Sequence, residues 1–270
     1  MARGLFSDPE LEPGESLRAS QRLPPGYEEF PAPLSDPVLS KARFLQGLSH
    51  SERNTVLQNA LFWRYRINSV VIEQGDAANR LFLLSKGSAR HFFITPEGRK
   101  VNLFWLVPGD IFGGACLLAK PAPFIVSTEV TKESQVFVWE RDAIRTLAAR
   151  YPTLAENGLS IAYDYFVWYV ATHLSLVCHS ARERLAHVLF SLSHGVGQKC
   201  ANGISLEITN EQLANTANIT LFTVSRLLSE WQRDGSLLKS RGRIVIRCPE
   251  QLFKTTLQGL SHNLKPSRFR

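Results

Sequence analysis

The feature that most constrains the fold of this chain is a series of regularly spaced glycines between Phe62 and Glu140. Gly75, Gly87, Gly98 and Gly109 follow one another at intervals of twelve, eleven and eleven residues. The runs between them are rich in β-branched and aromatic residues, as in SVVIEQG, RLFLLSKG and KVNLFWLVPG. Strands with turn signals at this spacing indicate an antiparallel sandwich or barrel. We expect each glycine to supply a positive φ at a turn or a bulge.

Helical patterns flank this β-rich region. Residues 38–61 read as helical, and Ser49 followed by Glu52 is typical of a capping box. Residues 155–178 contain no proline and carry two heptad series, which together form an a/d seam. The remaining faces of that helix are also apolar, so we expect it to pack on a partner copy and on the β domain. Burial within a monomer is the alternative. The seam consists of Leu159, Ala162, Phe166, Tyr169, His173 and Leu176.

Residues 210–229 have the spacing of a helix-turn-helix. Thr209 is placed to cap the first helix, Asn218 to adopt the left-handed turn conformation, and Thr220 to cap a recognition helix over residues 220–233. The first residues of a recognition helix face the major groove, where an arginine can make two hydrogen bonds to guanine. The predicted DNA-contacting residues of this helix are Thr220, Leu221, Phe222, Thr223, Ser225 and Arg226.

Two short strands after the recognition helix predict a basic wing. They flank Ser240-Arg241-Gly242, which places Arg241 and Arg243 near the tip, where they can contact phosphates. The charge distribution agrees with this, because residues 180–270 carry a formal charge of +7 while the whole chain carries +7. No basic amphipathic helix carries the excess, so DNA is a better candidate partner than a membrane.

The ends of the chain and its cysteines limit the remaining possibilities. Residues 1–37 hold seven of the fourteen prolines and a net charge of −4, which predicts a disordered arm; an ordered strap packed on the domain is the alternative. No signal peptide or spanning helix is evident. The four cysteines form no CxxC pair, which fits a reducing cytosol and argues against a structural metal site. We therefore expect a cytoplasmic protein.

In this order, the glycine-punctuated β region, the long helix and the winged helix resemble the cyclic-AMP receptor protein/FNR family of bacterial transcription regulators. The resemblance covers residues 40–250 and includes Asp110-Ile111-Phe112-Gly113 and the run from Thr220 to Leu228. It implies an α+β homodimer with an N-terminal antiparallel β-roll, or cyclic-nucleotide-binding-like jelly roll, and a C-terminal winged helix. The expected domains are a disordered arm (1–37), a β-roll sensor (38–154), a dimerisation helix (155–179), a winged helix-turn-helix (180–254) and a basic tail (255–270).

The sensor pocket departs from the pattern of the family's cyclic-nucleotide binders. The resemblance aligns Gly114 with the glutamate that holds the ribose, and Phe124 or Ile125 with the arginine that neutralises the cyclic phosphate. A buried phosphate without its guanidinium is strongly disfavoured. We therefore expect an effector other than cyclic AMP. The candidate pocket residues are Phe112, Gly113, Gly114, Ala115, Ser127, Thr128 and Tyr169, the last standing where cyclic-AMP binders have small hydroxyl residues.

Two other sensing chemistries of the family can be tested in the same way. An iron–sulfur cluster needs several clustered cysteines, and no cysteine precedes Cys116. Haem needs an axial His or Cys near an apolar pocket, for which Cys116, His91 and His173 are candidates. Each also has a plainer interpretation: an inert buried thiol for Cys116, a solvent-facing strand residue for His91 and an interface residue for His173. Haem stays open as an alternative cofactor.

The sequence therefore predicts a homodimeric regulator that binds a pseudo-palindromic site in double-stranded DNA and possesses no enzymatic activity or metal site. RNA polymerase is a further partner that the resemblance implies. Two alternatives remain: a ligand-binding dimerisation module whose winged helix makes protein contacts, and a haem-dependent gas or redox sensor. Loss of DNA binding on charge reversal at Arg226 and Arg241 would separate the regulator from the protein-contact module.

Overall fold

The structure is a computed structural model that describes residues 27–34, 36–247 and Leu252. Most of the predicted disordered arm, Cys248 and the predicted basic tail lie outside the described residues. The elements in chain order are β1 (Tyr27–Glu29), α1 (Pro37–Lys41), α2 (His50–Gln58), β2 (Leu61–Tyr65), β3 (Val70–Ile72), β4 (Arg80–Ile94), β5 (Lys100–Leu106), β6 (Ile111–Phe112), β7 (Ser127–Glu140), α3 (Arg141–Arg150), α4 (Pro152–Cys178), α5 (Ala181–Gly195), β8 (Gln198–Cys200), β9 (Gly203–Glu207), α6 (Asn210–Ala217), α7 (Leu221–Arg233), β10 (Leu237–Ser240) and β11 (Arg243–Ile246).

The N-terminal half is an antiparallel roll built around the long strands β4 and β7. The strand order is β1-β2-β7-β4-β5, with β3 paired to β7 and β6 paired to β4. The four spaced glycines all have positive φ, between 77° and 96°, as the sequence predicted. Two runs that read as separate strands form the single strand β4, which is irregular around Gly87. A Cβ at Gly87 would lie 2.4 Å from the carbonyl oxygen of Glu133, so only glycine fits there.

The predicted disorder of residues 1–37 was wrong for the part that the structure describes. Tyr27–Glu29 pair antiparallel with β2, and the amide of Phe30 donates to the carbonyl of Phe62 at 2.9 Å. Asp36 caps α1 by accepting from the amide of Val38. An edge strand leaves unpaired backbone groups, and the arm satisfies those of β2. The alternative of an ordered strap therefore describes this segment better.

Three apolar cores stabilise the molecule. One lies between the roll and the helices that flank it, and includes Phe44, Trp139 and Leu154. A second lies inside the roll and includes Trp63, Phe82 and Phe112. The third belongs to the winged helix, where α5, α6 and α7 pack on a sheet of order β10-β11-β9-β8. Each large element thus buries its apolar face against another layer.

Helix α4 joins the two halves and is the longest helix described, with 27 residues. It begins at Pro152, a residue favoured in the first turn of a helix, and ends before His179. Helix α5 then starts at once, because Ser180 and Glu183 form a capping box. Across the described residues, none of the helices combines the length and apolar character that crossing a membrane requires.

Candidate nucleic-acid interface and sensor pocket

The helix-turn-helix forms through the local contacts that its sequence predicts. The Thr209 side chain accepts from the amide of Gln212 and caps α6. Asn218 ends α6 in the left-handed conformation, with φ of 50°. The Thr220 hydroxyl then accepts from the amide of Thr223 at 3.1 Å and caps α7. Asn218 and Thr220 thus form the turn between the two helices, and the inward side of α7 completes the core with Val224, Leu227 and Leu228.

The N-terminal end of α7 presents an exposed surface that combines apolar, hydroxyl and basic groups. Phe222 is 77% exposed and Leu221 is 55% exposed, while Thr220 and Arg226 are also exposed. Apolar side chains on a recognition helix can contact thymine methyl groups. The structure brings the six predicted residues to one end of this helix; the other two are the half-buried Thr223 and Ser225.

Arg226 is held in place by an ion pair along its own helix. Its guanidinium lies 2.6 Å from a carboxylate oxygen of Glu230, and the other oxygen of Glu230 lies 2.9 Å from Arg182 on α5. The Arg182 guanidinium also stacks over the ring of Trp231. Arg226 is half exposed, so its guanidinium can reach beyond this pair.

The wing is the hairpin of β10 and β11, with Ser240 paired to Arg243 at its end. Arg241 lies exposed in the turn. Arg243 is also exposed, but its Nε donates to the hydroxyl of Ser205 on β9 at 2.8 Å. The two arginines therefore differ: Arg241 projects from the turn, whereas Arg243 is anchored to the sheet.

Aromatic side chains meet at the predicted sensor pocket, and Phe104 and Tyr165 also line a cavity of about 210 Å³ between the roll and α4. Gly113 has φ of +81°, and a Cβ there would lie 2.6 Å from the carbonyl oxygen of Arg80. Phe112 stacks on Phe82 with ring centroids 4.8 Å apart. Phe104 and Tyr165 meet edge to face at 4.9 Å on the helix side of the roll. Of the remaining predicted residues, Ser127 and Thr128 are buried, Ala115 packs against the neighbouring core and Gly114 faces open space.

The prediction that His91 faces solvent was wrong. Its side chain is only 7% exposed, and Nδ1 lies 2.9 Å from the hydroxyl of Thr128 on β7. The rings of Phe112 and Tyr165 lie against its edges. Burial lowers the pKa of His91 to about 4, because the charged imidazolium is poorly solvated there. The alternation along β4 is interrupted by the irregular register near Gly87, which explains why a period-two interpretation fails.

The structure also corrects the prediction of which residue of α4 faces this pocket. Tyr165, rather than Tyr169, contacts the roll: its hydroxyl donates to the carbonyl of Ile111 at 3.1 Å. Tyr169 lies one turn later and lines a separate cavity next to the winged helix. The predicted pocket residues did not include Tyr165 or Phe104. The heptad pattern places residues on helix faces, but it does not fix the height at which the helix crosses the sheet.

These residues do not fit a cyclic nucleotide. By the family resemblance, Gly114 stands where the ribose-binding carboxylate is expected, and Phe124 or Ile125 where the phosphate-binding guanidinium is expected. The nearby cations of β4 and β5 are already paired, since Arg90 and Lys100 both contact Glu129. A cyclic phosphate would therefore have to compete with Glu129 for these two cations.

The three haem-ligand candidates do not share a pocket. Cys116 is fully buried in the core between the roll and its helices, and burial raises its thiol pKa to about 12. His91 contacts Phe112 in the inner core of the roll, and His173 is exposed on α4. Among the described residues, no three metal-binding side chains come together.

One face of α4 is apolar and exposed over most of its length. Leu159 is 74% exposed and Phe166 is 63% exposed, and Ala162 and His173 lie on the same side. Tyr163 and Val177, which were not in the predicted seam, extend this face. Of the predicted seam residues, Tyr169 and Leu176 instead line the cavity beside the winged helix, although Leu176 is also partly exposed.

Comparison with known proteins gives matches to both halves of the chain. A cyclic nucleotide-binding domain model matches residues 62–151, and a Crp-like helix-turn-helix domain model matches residues 183–254. A "CRP-like cAMP-activated global transcriptional regulator" of Mycobacterium tuberculosis is 22% identical over 80% of this chain and 97% of its own length. An "Anaerobic regulatory protein" of Bacillus subtilis is 23% identical over 66% of this chain and 76% of its own.

The fold is also shared with a solved structure. FixK2 from Bradyrhizobium japonicum superimposes with a TM-score of 0.63 and 22% identity, covering 76% of this chain and 97% of that one. The curated relatives named above are regulators rather than enzymes.

Proposed function

Because the chain belongs to the Crp/Fnr family of transcription regulators, with a cyclic-nucleotide-binding-type sensor domain and a helix-turn-helix DNA-binding domain, we propose that it binds a pseudo-palindromic DNA site as a homodimer. Helix α7 enters the major groove and the wing contacts the flanking phosphates. The sensor domain controls this binding in response to an effector other than cyclic AMP. RNA polymerase is the partner through which such a dimer would act on transcription.

The observation that carries this proposal is the surface at the start of α7. The helix buries Val224, Leu227 and Leu228 while Phe222 and Arg226 extend outward. Phe222 and the neighbouring Leu221 form an exposed apolar patch, and such patches mark interaction sites. A groove that offers thymine methyl groups next to guanine acceptors matches an apolar side chain beside a guanidinium. Arg241 at the wing adds a phosphate contact on the flank.

The exposed apolar face of α4 supports the homodimer. Leu159, Tyr163 and Phe166 extend over two turns and are each more than 60% exposed. A second copy supplies a matching face by symmetry, because a two-fold axis brings the same surface of each subunit together. Two recognition helices related by that axis would read the two halves of a pseudo-palindrome.

The aromatic contacts of the sensor pocket support an effector other than cyclic AMP. The rings of His91, Phe104 and Tyr165 meet edge to face between the roll and α4. The M. tuberculosis relative is named as cAMP-activated. This chain departs at the ligand-holding positions, so the two proteins are proposed to share the DNA-binding mechanism and to differ in effector.

DNA binding is tested by a mobility shift of the purified full chain on a fragment from upstream of its own coding region. We expect a specific shift that weakens as salt is raised. Arg226→Glu combined with Arg241→Glu should abolish it, whereas Lys86→Glu, an exposed change on the roll, should not. A folded protein that shifts no fragment, or a double variant that binds as wild type does, would favour protein contacts as the role of the winged helix.

A further inference from the structure

A cavity of about 250 Å³ lies between the sensor half and the winged helix. Strand β5 and helix α4 form one wall, and helices α5 and α6 form the other. It shares Phe104 with the sensor pocket, whose other ring residues Phe112 and His91 do not line it. Its apolar lining is largely aromatic on the sensor side. The apolar side chains that a ligand would contact include Phe104, Trp105, Trp168, Tyr169, Val188 and Leu192.

Unpaired polar atoms are concentrated in this cavity. Asn102 Oδ1, Thr172 Oγ1 and both ring nitrogens of His187 are buried without a hydrogen-bond partner, and so is Nε of Arg184. All four residues line the cavity. Buried polar groups in folded proteins are nearly always paired, with protein or with a bound molecule. Five unpaired atoms on residues of one cavity therefore indicate that a polar group belongs beside them.

The charges of the lining specify what that molecule carries. The cavity wall includes Arg99 and Arg184 but no aspartate or glutamate. The terminal nitrogens of Arg184 donate to the carbonyls of Leu176 and Asn218, which leaves Nε for an acceptor. Burial lowers the pKa of His187 to about 4, so its neutral ring offers one donor and one acceptor. A guanidinium with no protein carboxylate beside it favours an anionic ligand group.

We propose that this cavity is a binding site for a small aromatic monocarboxylate. The rings pack among Trp105, Trp168 and Tyr169, while the carboxylate accepts from Arg184 and meets Thr172 and His187. The volume of about 250 Å³ lies just below the usual range for organic ligands, roughly 300–1,000 Å³, which limits the ligand to one or two rings. Because this site would be the effector site of the regulator, its biological role rests on the proposed function, but ligand binding itself does not.

The position of the cavity links ligand binding to the arrangement of the domains. Trp105 on β5 packs against the core of the winged helix, and Arg99 donates to the Asn218 side chain at 3.3 Å. Asn218 is the turn residue of the helix-turn-helix. A ligand that contacts both walls stabilises this arrangement relative to any in which the walls separate. By linkage, DNA and ligand must then change each other's affinity by the same factor if they prefer different arrangements.

The site is tested with naphthoate as the probe, titrated by calorimetry into the full-length protein without DNA. We expect saturable binding of one probe per chain, with a Kd on the order of 10–100 µM. The neutral isostere naphthamide and the variant Arg184→Gln should each weaken binding by about tenfold. Ser191→Trp fills the cavity from α5 and should abolish binding. Arg182→Gln removes the same charge from the same helix outside the cavity and should bind normally.

Thermal unfolding of each variant keeps a folding defect apart from a binding defect. No saturable binding to the folded wild type, or unchanged binding in Ser191→Trp, would overturn the site. Equal affinity for naphthoate and naphthamide would overturn the carboxylate assignment. A mobility shift on the same preparations separates the two proposals, since DNA binding without probe binding contradicts only the cavity, and probe binding without DNA binding contradicts only the proposed function.

Discussion

Arg226 is the residue on which the proposed recognition of guanine depends. Its guanidinium pairs with Glu230 one turn along the same helix, so the side chain is directed along the exposed face of α7. In a complex it would exchange that carboxylate for two acceptors on guanine. The exposed pair is weak, so this exchange costs little.

Replacing this arginine tests that role. Arg226→Gln should lower the affinity for the specific site by about 1–3 kcal/mol per contacted base pair and relax the preference at that pair only. Fluorescence anisotropy with duplexes varied at each position would measure both effects. Arg233→Gln, at the far end of the same helix, is the matched control. A uniform loss over all positions would show that Arg226 contacts phosphate instead.

His91 predicts a pH dependence of stability. Its pKa is about 4 in the folded chain and 6.5 in the unfolded one, so the unfolded chain takes up the proton first as the pH falls. The fold therefore loses stability from His91 below about pH 6.5, and this loss levels off below about pH 4. Between about pH 7 and pH 4.5 the loss amounts to about 2–3 kcal/mol.

Urea unfolding at these two pH values measures that contribution. In His91→Phe, the difference in free energy of unfolding between the two pH values should shrink by about 2–3 kcal/mol, because phenylalanine does not titrate. His50→Phe changes an exposed histidine on α2 and should leave the difference as it is in wild type. An unchanged difference in His91→Phe would mean that the buried imidazole is already protonated in the fold.

At the level of elements, the features that were predicted best from the sequence are those that depend on local contacts. The capping residues Ser49, Thr209 and Thr220 and the left-handed Asn218 were all identified correctly, because each acts through contacts within four residues. The wing strands agree to within a residue. Long-range placement was harder. The pairing of β1 with β2, the burial of His91 and the contact of Tyr165 depend on how distant segments meet, which periodicity does not encode.

The cavity beside the winged helix also depends on how distant segments meet, so the sequence did not predict it. Asn102, Thr172 and His187 come from three different elements, and nothing in their spacing brings them together. Only Tyr169 was selected as a ligand-binding residue in advance, and it was assigned to a different pocket. The sequence signal that could have indicated this cavity was a polar residue on an otherwise apolar helix face, such as Thr172 or His187.

Helix α4 makes a prediction about assembly. Phe166→Glu places a charge at the middle of the exposed apolar face and should raise the dimer dissociation constant by about a hundredfold or more, because the charge would be desolvated in the interface. Sedimentation equilibrium would measure this. Thr146→Glu adds the same charge to an exposed position of α3 and is the control. Intact dimers in Phe166→Glu would contradict this face as the interface.

For the whole molecule, dimer symmetry and DNA electrostatics both determine the slope of log affinity against log salt concentration. Each phosphate that a protein neutralises on duplex DNA contributes about 0.9 to the slope of log affinity against log salt. A homodimer presents two wings, so a substitution that removes one phosphate contact per subunit acts twice. Arg241→Gln should therefore reduce the magnitude of the slope by about 1.8, whereas a monomeric complex would lose only about 0.9.

The slope is obtained from anisotropy titrations over a range of potassium chloride concentrations with one specific duplex. Lys86→Gln alters the same charge on an exposed position of β4, away from the winged helix, and should leave the slope unchanged. Arg243→Gln should have a smaller effect than Arg241→Gln, because part of its guanidinium is committed to Ser205. A change near 0.9 for Arg241→Gln would mean that only one wing contacts DNA, and no change would remove Arg241 from the interface.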